Sequence, residues 1–254
     1  MKKIVAWVLA CGAALALCAC GKKSGEVRFG MGAHAYYSAE KSASEEAAGY
    51  GKVIVAVAAV VTDENGKILA CELDMAENKG EFTHDGKCVA ASGFKTKGEL
   101  GDGYGMKGAS DIGKEWYEQA EAFENAAKGK TLDEVKTLLA TGESEIVRAG
   151  CTIDTGDFIA AVEKAIQSAK SVSVRGDYDV EMEISSAQIE CRDASETENG
   201  TNRIKTVFSA VLEGEDDTEL LRFSDEAEAE FTFDAHGHAV FDISAELKTE
   251  NEKK

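Results

Sequence analysis

A short turn of small and hydroxyl-bearing residues precedes a predicted helix and is the segment best suited to chemistry. It consists of Ala149, Gly150, Cys151, Thr152, Ile153, Asp154 and Thr155. A small-residue turn that enters a helix N-terminus leaves backbone N–H groups and the positive end of the helix dipole free to hold a phosphate. Gly150 permits close backbone approach, and the Thr152 hydroxyl would stand where a phosphoester can form. The pattern therefore indicates a phosphate-bearing ligand.

This turn resembles the Ser-Gly-Ala-Thr-x-Thr-Ser motif of FMN-binding domains. That family includes the flavin-bearing subunits of bacterial Rnf and sodium-pumping quinone reductase complexes. In the family, the flavin phosphate is esterified to the last Thr of Ser-Gly-Ala-Thr, which falls on Thr152 here. The resemblance implies covalent FMN at Thr152, with Gly150, Cys151 and Thr155 beside the cofactor.

A second stretch is similar to the Glu-Thr-Pro-Gly-Leu-Gly loop of the same family. It comprises Thr96, Lys97, Gly98, Glu99, Leu100 and Gly101 and is followed by the aromatic residues Trp116 and Phe123. The two resemblances together cover residues 49–170. They imply that Thr96, Leu100, Gly101 and Tyr104 also belong to the cofactor site. The glycine-rich run around Tyr104 and Met106 is suited to line an isoalloxazine ring with an aromatic or thioether surface.

The chain departs from the family pattern within the turn itself. Ala149 replaces the usual Ser, Cys151 replaces Ala, and Asp154 stands where a hydroxyl residue is expected. Asp154 and Asp157 place two carboxylates in the first helical turn, where they stabilise the helix but repel a phosphate. The alternative is that Thr152 is a turn residue before a well-capped helix, and the protein is then a flavin-free binding or interaction module.

Other candidate sites are weaker. His236 and His238 would give two metal ligands, but they flank a glycine and are better interpreted as turn residues. The acidic run at residues 213–219 is interpreted as a solvated hairpin tip. The sequence contains no Gly-x-Ser-x-Gly, Walker A or His-Glu-x-x-His pattern, so hydrolase chemistry has no support. A redox carrier or binding protein is favoured over a catalyst.

Three helices are predicted between the strands. An apolar stripe with spacings of four, three and four residues predicts a helix over 111–127 that packs in the core. The stripe consists of Trp116, Ala120, Phe123 and Ala127. Thr131 and Glu134 form a capping box for a short helix that ends near Ala140. A third helix, capped by Asp154 or Thr155, is predicted to run to Ser168.

Strand patterns occur before and after these helices. A first strand is expected near 27–31, and residues 53–61 are apolar at odd and even positions, as in a strand covered on both faces. Asn65-Gly66 predicts a tight hairpin with positive φ angles that leads into a strand over 67–74, and a second turn is expected near Asp85 and Gly86.

Part of this pattern recurs near the C-terminus. Five residues have identical or similar counterparts 151 positions later. Gly49, Val53, Val57, Ala59 and Val60 correspond to Gly200, Ile204, Phe208, Ala210 and Val211. The triplet that begins at Glu230 matches the one at Glu81 at an offset of 149. An internal duplication of a β-meander is predicted, with chance similarity of two amphipathic hairpins as the alternative. In the second copy, the face opposite Phe208 carries Lys205 and Ser209 and is expected to be solvated.

The N-terminus has the three parts of a secretory signal. Lys2 and Lys3 precede an apolar run to residue 19, and Cys20 follows it. Leu17, Cys18 and Ala19 resemble a bacterial lipobox, which implies lipidation of Cys20 and a lipid anchor on the extracytoplasmic face of the membrane. Acyl chains on such a cysteine supply the attachments that stable anchoring needs.

Net charge and cysteine content limit the partners and the chemistry. With 28 basic and 47 acidic residues the net charge is −19, which excludes nucleic acid as a natural partner. A membrane redox complex or an envelope protein fits better. Outside the leader and lipobox, four cysteines remain, namely Cys71, Cys88, Cys151 and Cys191. They allow three alternative disulfide connectivities, and no two of them form a CxxC motif.

The sequence thus predicts an α+β lipoprotein. We expect a signal peptide over 1–19, a lipidated linker over 20–25, an FMN-binding-like domain over 26–172 and a β-rich copy without helices over 173–254. The first hypothesis is an extracytoplasmic flavin carrier in electron transfer. The second is a flavin-free interaction module of the cell envelope.

Overall fold

The computed structural model describes residues 25–84, 88–92, 95–190, 202–233 and 239–244. The strands in this part of the chain are β1 (Gly25–Lys41), β2 (Gly49–Thr62), β3 (Ile68–Phe82), β4 (Cys88–Ser92), β5 (Lys170–Val174), β6 (Tyr178–Glu190), β7 (Asn202–Gly214), β8 (Thr218–Phe233) and β9 (Ala239–Ser244). The helices are α1 (Lys97–Leu100), α2 (Trp116–Ala127), α3 (Leu132–Val135), α4 (Glu145–Ala149) and α5 (Gly156–Ser168).

The strands form two antiparallel sheets. The first has the order β4-β3-β2-β1-β5, and the second has the order β6-β7-β8-β9. The helices all lie in the chain between β4 and β5, after which β5 returns to pair with the start of β1. The predicted α+β class, with mostly antiparallel strands and inserted helices, is therefore confirmed. The predicted boundary between residues 172 and 173 falls inside β5, which belongs to the first sheet.

Strand β2 is covered on both faces, as its sequence predicts. Its odd-numbered residues, such as Val55 and Val57, pack in the core between the two sheets. Its even-numbered residues, such as Ala56 and Ala58, pack in the core under the helices. The molecule therefore has three layers, with the first sheet between the helices and the second sheet.

The core between the sheets joins residues that are far apart in sequence. The Phe29 and Phe223 rings meet edge to face with centroids 5.6 Å apart, and Phe208 is almost completely buried beside them. Burial of one such ring contributes about 1.5–3 kcal/mol. On the opposite face of β7, Lys205 is only half-buried and pairs with Glu226, so the predicted solvated face of the second sheet is confirmed.

Helix α5 lies unusually close to β1 because the strand has glycines there. A Cβ atom on Gly30 would stand 2.0 Å from the Ala165 carbonyl oxygen, and one on Gly32 would stand 2.3 Å from the Ala165 nitrogen. Farther along, the Tyr36 hydroxyl donates to Asp157 in the first turn of α5. Helix α5 therefore runs antiparallel to β1 and begins beside the second half of that strand.

Helix α2 packs its aromatic stripe under the sheet. Trp116 and Phe123 each contact the Phe158 ring of α5 edge to face, at centroid distances of 5.7 and 5.4 Å. This confirms the predicted core role of the stripe. The predicted start near residue 111 is wrong, because Glu115 forms a capping box with Glu118 and the helix begins only at Trp116.

Several other boundaries also differ from the sequence prediction. Strand β1 is 17 residues long instead of five, and α3 ends at Val135 instead of Ala140, although its predicted capping box is present. In the hairpin after β2, Gly66 has a positive φ but Asn65 does not. The Asp63 side chain accepts the Asn65 and Lys67 N–H groups and closes that turn instead. Asp85 and Gly86 lie outside the described residues.

Candidate functional site

The predicted phosphate turn connects α4 to α5. Gly150 ends α4 in the left-handed region at φ 101°, Cys151 is completely buried, and Thr152 is exposed. One buried side chain holds this turn. The Gln119 Oε1 atom accepts hydrogen bonds from the Thr152 N–H at 2.8 Å, the Thr152 hydroxyl at 3.1 Å and the Ile153 N–H at 3.3 Å.

The glycine-rich loop before α2 is fastened to the same helix. The Glu115 carboxylate, almost completely buried, accepts the Met106 N–H at 2.8 Å and the Lys107 N–H at 3.0 Å. The Gln119 Nε2 atom donates to the Lys114 carbonyl at 3.3 Å. The start of α2 therefore brings together the two segments that sequence resemblance assigned to one site.

Sequence reasoning missed both Gln119 and Glu115. Gln119 lies one turn after Trp116 and is completely buried on the same helix face. A buried polar side chain must find hydrogen-bond partners. A glutamine within an aromatic stripe was therefore the signal that could have identified this residue.

A lysine provides positive charge at the turn. The Lys114 ammonium lies over the Gly150 backbone, where an added Cβ atom would be 2.4 Å from Nζ. The same lysine faces Cys151, but burial dominates there and raises the pKa of the thiol to about 11. Cys151 is thus a packed, protonated thiol and has no free surface toward a ligand.

Two carboxylates occupy the first turn of α5. Asp154 accepts the Gly156 N–H at 2.9 Å, and Asp157 accepts the Tyr36 hydroxyl at 2.7 Å. The His34 Nε2 atom lies 3.8 Å from Asp157. Burial and the hydrogen bond from Tyr36 to Asp157 raise the pKa of the Tyr36 hydroxyl, so the phenol stays protonated. The start of α5 is therefore acidic, as expected from the sequence.

Thr155 has a structural role in the described geometry. Its side chain is completely buried, donates to the Leu138 carbonyl at 2.8 Å and accepts the Ala140 N–H at 3.2 Å. These bonds tie the start of α5 to the segment after α3. Its hydroxyl is therefore occupied and is not directed to a surface ligand.

The second predicted segment forms α1 and a 3₁₀ turn. Thr96 is buried and exchanges capping hydrogen bonds with Glu99, while Leu100 is exposed. Gly101 has a positive φ, and Tyr104 is half-buried against the core beneath the helices. Of these residues, Leu100, Gly101 and Tyr104 remain at the surface, and Thr96 serves the helix cap.

Lys97 stands between the loop and the sheet. Its ammonium lies 5.1 Å from the centre of the Tyr104 ring and 2.7 Å from Glu77, which also pairs with Lys52 at 2.8 Å. Burial opposes ionisation of Glu77, but the hydrogen bonds from the two lysines outweigh it and lower the pKa of the carboxyl. The two lysines share one carboxylate, so these three side chains carry a net charge of about +1.

Whether FMN fits can be judged from these contacts. Thr152 is an exposed residue and Lys114 brings positive charge to the turn, and both fit a phosphoester there. The amides of Thr152, Ile153 and Gly156, which a free phosphate would need, already bond to Gln119 or Asp154. The residues therefore fit a covalently tethered phosphate and do not form a cradle for a dissociable one.

Space is available beside the turn. A surface cleft of about 480 Å³ opens between α2 and α4, and its walls are Lys114, Glu118, Glu121, Ala122, Asn125, Ala126, Glu145 and Ala149. Its three carboxylates make it unsuited to an anionic group, but the alanines offer apolar surface. Ala149 at the end of α4 is the wall of the cleft nearest to Thr152 in the chain, and Thr152 itself does not line it.

No protein-family model and no solved structure matches the chain. Chlorophenol reductase from Desulfitobacterium hafniense is 34% identical over 103 residues, which cover 34% of this chain and 30% of that protein. The chain thus spans less than a third of the length of this relative, and the similarity assigns no family.

The remaining sequence predictions concern cysteines, histidines and the membrane. Cys71 and Cys151 are buried free thiols, and the Cys88 side chain, Cys191, His236 and His238 lie outside what the structure describes. Within the described ranges, no helix is long and apolar enough to cross a bilayer. Cys20 and the rest of the predicted leader are also outside the described residues.

Proposed function

We propose that the protein is a lipid-anchored extracytoplasmic redox carrier that holds FMN through a phosphoester at Thr152. The observation that carries this proposal is that Thr152 is an exposed residue on a turn held by a buried side chain. The resemblance of residues 149–155 to the FMN attachment motif supports it. The partial similarity to a reductase is consistent with a redox role.

The roles of individual residues follow from their positions. Thr152 is the attachment residue, and Lys114 offsets the negative charge of the phosphodiester. Tyr104 and Gly101 lie in the surface loop that precedes α2. The start of α2 is hydrogen-bonded both to this loop and to the turn. When bound, FMN supplies one- and two-electron transfer, whereas the protein supplies position and polarity.

Intact mass measurement after coexpression with a bacterial flavin transferase tests the proposal. We expect the mass to rise by one FMN less one water, together with the visible absorption bands of a flavin. Thr152→Ala should abolish both signals. Thr141→Ala, which changes another exposed threonine, should leave them unchanged. A wild-type protein that stays colourless with unmodified mass would refute flavin attachment.

The lipid anchor is tested separately. We expect Cys20→Ala to abolish labelling by a fatty acid and to release the protein from the membrane fraction, because a cysteine-linked lipid is the expected attachment. Membrane retention of an unlabelled Cys20→Ala protein would contradict the proposal. If the anchor is present, the expected partner, a membrane redox complex or an envelope protein, would contact the carrier in the same compartment.

The two sheets are also proposed to arise by internal duplication. The first four strands and the last four strands each follow one another as an antiparallel meander. The matched residues fall on corresponding strands, since Val57 lies on β2 and Phe208 lies on β7. We expect homologous sequences, aligned strand by strand, to contain the same repeat. Homologues in which one of the two meanders lacks the repeated pattern would argue against duplication.

A flavin-free interaction module is the second candidate. The occupied amides of the turn and the Asp154 carboxylate favour it. Phe208 is buried between the sheets, so its substitution would act on folding. The exposed face of β6, which carries Glu181 and Glu183, is accessible to a partner instead. Charge reversal at these two positions should weaken binding of an envelope partner without unfolding the protein.

A further inference from the structure

The strongest feature outside the predicted motifs is the Gln119 side chain. It is completely buried, yet each end of its carboxamide makes hydrogen bonds to a different surface segment. Oε1 accepts from Thr152 and Ile153 in the turn. Nε2 donates to the Ser110 hydroxyl at 3.3 Å and to the Lys114 carbonyl at 3.3 Å in the loop. One side chain thus links the two segments of the candidate site.

The partners determine the orientation of this carboxamide. Backbone N–H groups can only donate, so the atom that faces Thr152 and Ile153 must be the oxygen. The Lys114 carbonyl can only accept, so the atom that faces it must be the NH₂ group. The reversed orientation would leave buried donors facing donors, at the cost of unsatisfied polar groups.

The same orientation fixes the Thr152 hydroxyl. Because Oε1 has no proton, the hydroxyl must donate its own proton to Gln119. The lone pairs of the Thr152 oxygen are then not used in this hydrogen bond, and Thr152 is an exposed residue of the turn. In the proposed attachment, one of these lone pairs forms the new O–P bond to a phosphorus of the flavin donor while the phosphoanhydride P–O bond of that donor breaks. The phosphate leaving group departs, and the hydroxyl proton is released to solvent because the amide oxygen of Gln119 is not a base.

We propose that Gln119 is the positioning residue that presents the Thr152 hydroxyl for modification and couples it to the loop at 106–114. The inference rests on the proposed phosphoester at Thr152. Gln119 touches no substrate itself and acts only through the turn. A displacement of a reacting atom by an ångström can lower a rate up to 100-fold. Loss of Gln119 should therefore slow attachment strongly without changing the attachment residue.

Gln119→Leu tests the proposal, since leucine keeps the buried volume and removes both polar ends. With purified flavin transferase and its flavin donor, we expect the initial rate of mass increase to fall at least tenfold. In the unmodified protein, hydrogen exchange of the Thr152 and Ile153 amides should become at least tenfold faster. Gln167→Leu, the same change at an exposed helix position, should leave both measurements unchanged.

The two measurements separate the inference from the function on which it depends. A wild-type protein that is never modified refutes the phosphoester, whereas unchanged amide exchange in Gln119→Leu refutes the positioning role. Modification at the wild-type rate in Gln119→Leu also overturns the inference. If the leucine variant does not fold, Gln119→Glu retains an acceptor for Thr152 and loses the donor to Lys114. In that variant, exchange at Thr152 should stay slow while the loop at 106–114 exchanges faster, and the reverse pattern would contradict the proposal.

Discussion

Replacing Glu124 by glutamine tests whether α2 carries a protonated carboxyl group at neutral pH. Glu124 extends from α2 to the open edge of β3, where its Oε1 atom accepts the Leu73 N–H at 2.8 Å. Burial, with a smaller contribution from the Glu72 carboxylate, raises the pKa of Glu124 to about 8. Glutamine retains an acceptor oxygen for Leu73 and cannot ionise.

The sign of the effect follows from proton uptake. In the unfolded chain the carboxyl releases its proton near pH 4.5, but in the folded protein it retains the proton to about pH 8. The associated stability is therefore complete below pH 4.5 and is lost as the pH rises through 8. The difference between the pKa values of Glu124 in the unfolded and folded states corresponds to about 5 kcal/mol, at ~1.4 kcal/mol for each pH unit. Because the side chain is not fully enclosed, we expect about 2–4 kcal/mol.

Urea denaturation at pH 5 and pH 9, followed by tryptophan fluorescence, measures this difference. The wild-type free energy of unfolding should fall by about 2–4 kcal/mol more than that of Glu124→Gln between the two pH values. At pH 9 the variant should be the more stable protein. Glu143→Gln, a change at an exposed carboxylate that does not act on Glu124, should behave as wild type. Parallel pH dependence in wild type and Glu124→Gln would refute the reasoning.

Three further predictions concern packing. Gly32→Ala places a Cβ 2.3 Å from the Ala165 nitrogen, so α5 must move, and we expect urea denaturation to record a loss of about 1–3 kcal/mol or more; an unchanged midpoint would contradict the close approach. Phe208→Ala should cost about 3–5 kcal/mol by the same assay, and a loss below about 1 kcal/mol would place the ring outside the core. Asn78 donates to the Thr206 hydroxyl at 2.7 Å and its own Oδ1 is buried without a described partner. Asn78→Leu should therefore cost about 1–3 kcal/mol, and adding Thr206→Val should recover most of it, which a double-mutant cycle would detect.

The local elements were predictable where a pattern is complete within a few residues. The apolar residues of β2 at both parities indicated a strand covered on two faces, and Thr131 with Glu134 indicated a capped helix. Strand β1 was predicted too short because its helix-facing positions include Gly30 and Gly32, which carry no hydrophobic signal. The glycines are nevertheless what allows α5 to lie on the strand.

The site was less predictable because its organising residues act over long sequence distances. The motif resemblance selected Thr152, and the structure finds this residue exposed. It also selected Thr155 and Thr96, whose hydroxyls bond within the fold. Gln119 lies 33 positions before Thr152, and no local spacing rule connects the two. Packing of the second sheet on the first likewise depends on contacts between distant strands.

The length and direction of β1 set the distance between the two ends of the molecule. Gly25 starts the strand next to the proposed lipidated linker, whereas Tyr36 meets the first turn of α5, near the Thr152 turn. At ~3.3 Å for each residue, these points are about 36 Å apart. A prosthetic group held at Thr152, as proposed, would therefore lie at the opposite end of β1 from the residue that follows the proposed lipidated linker.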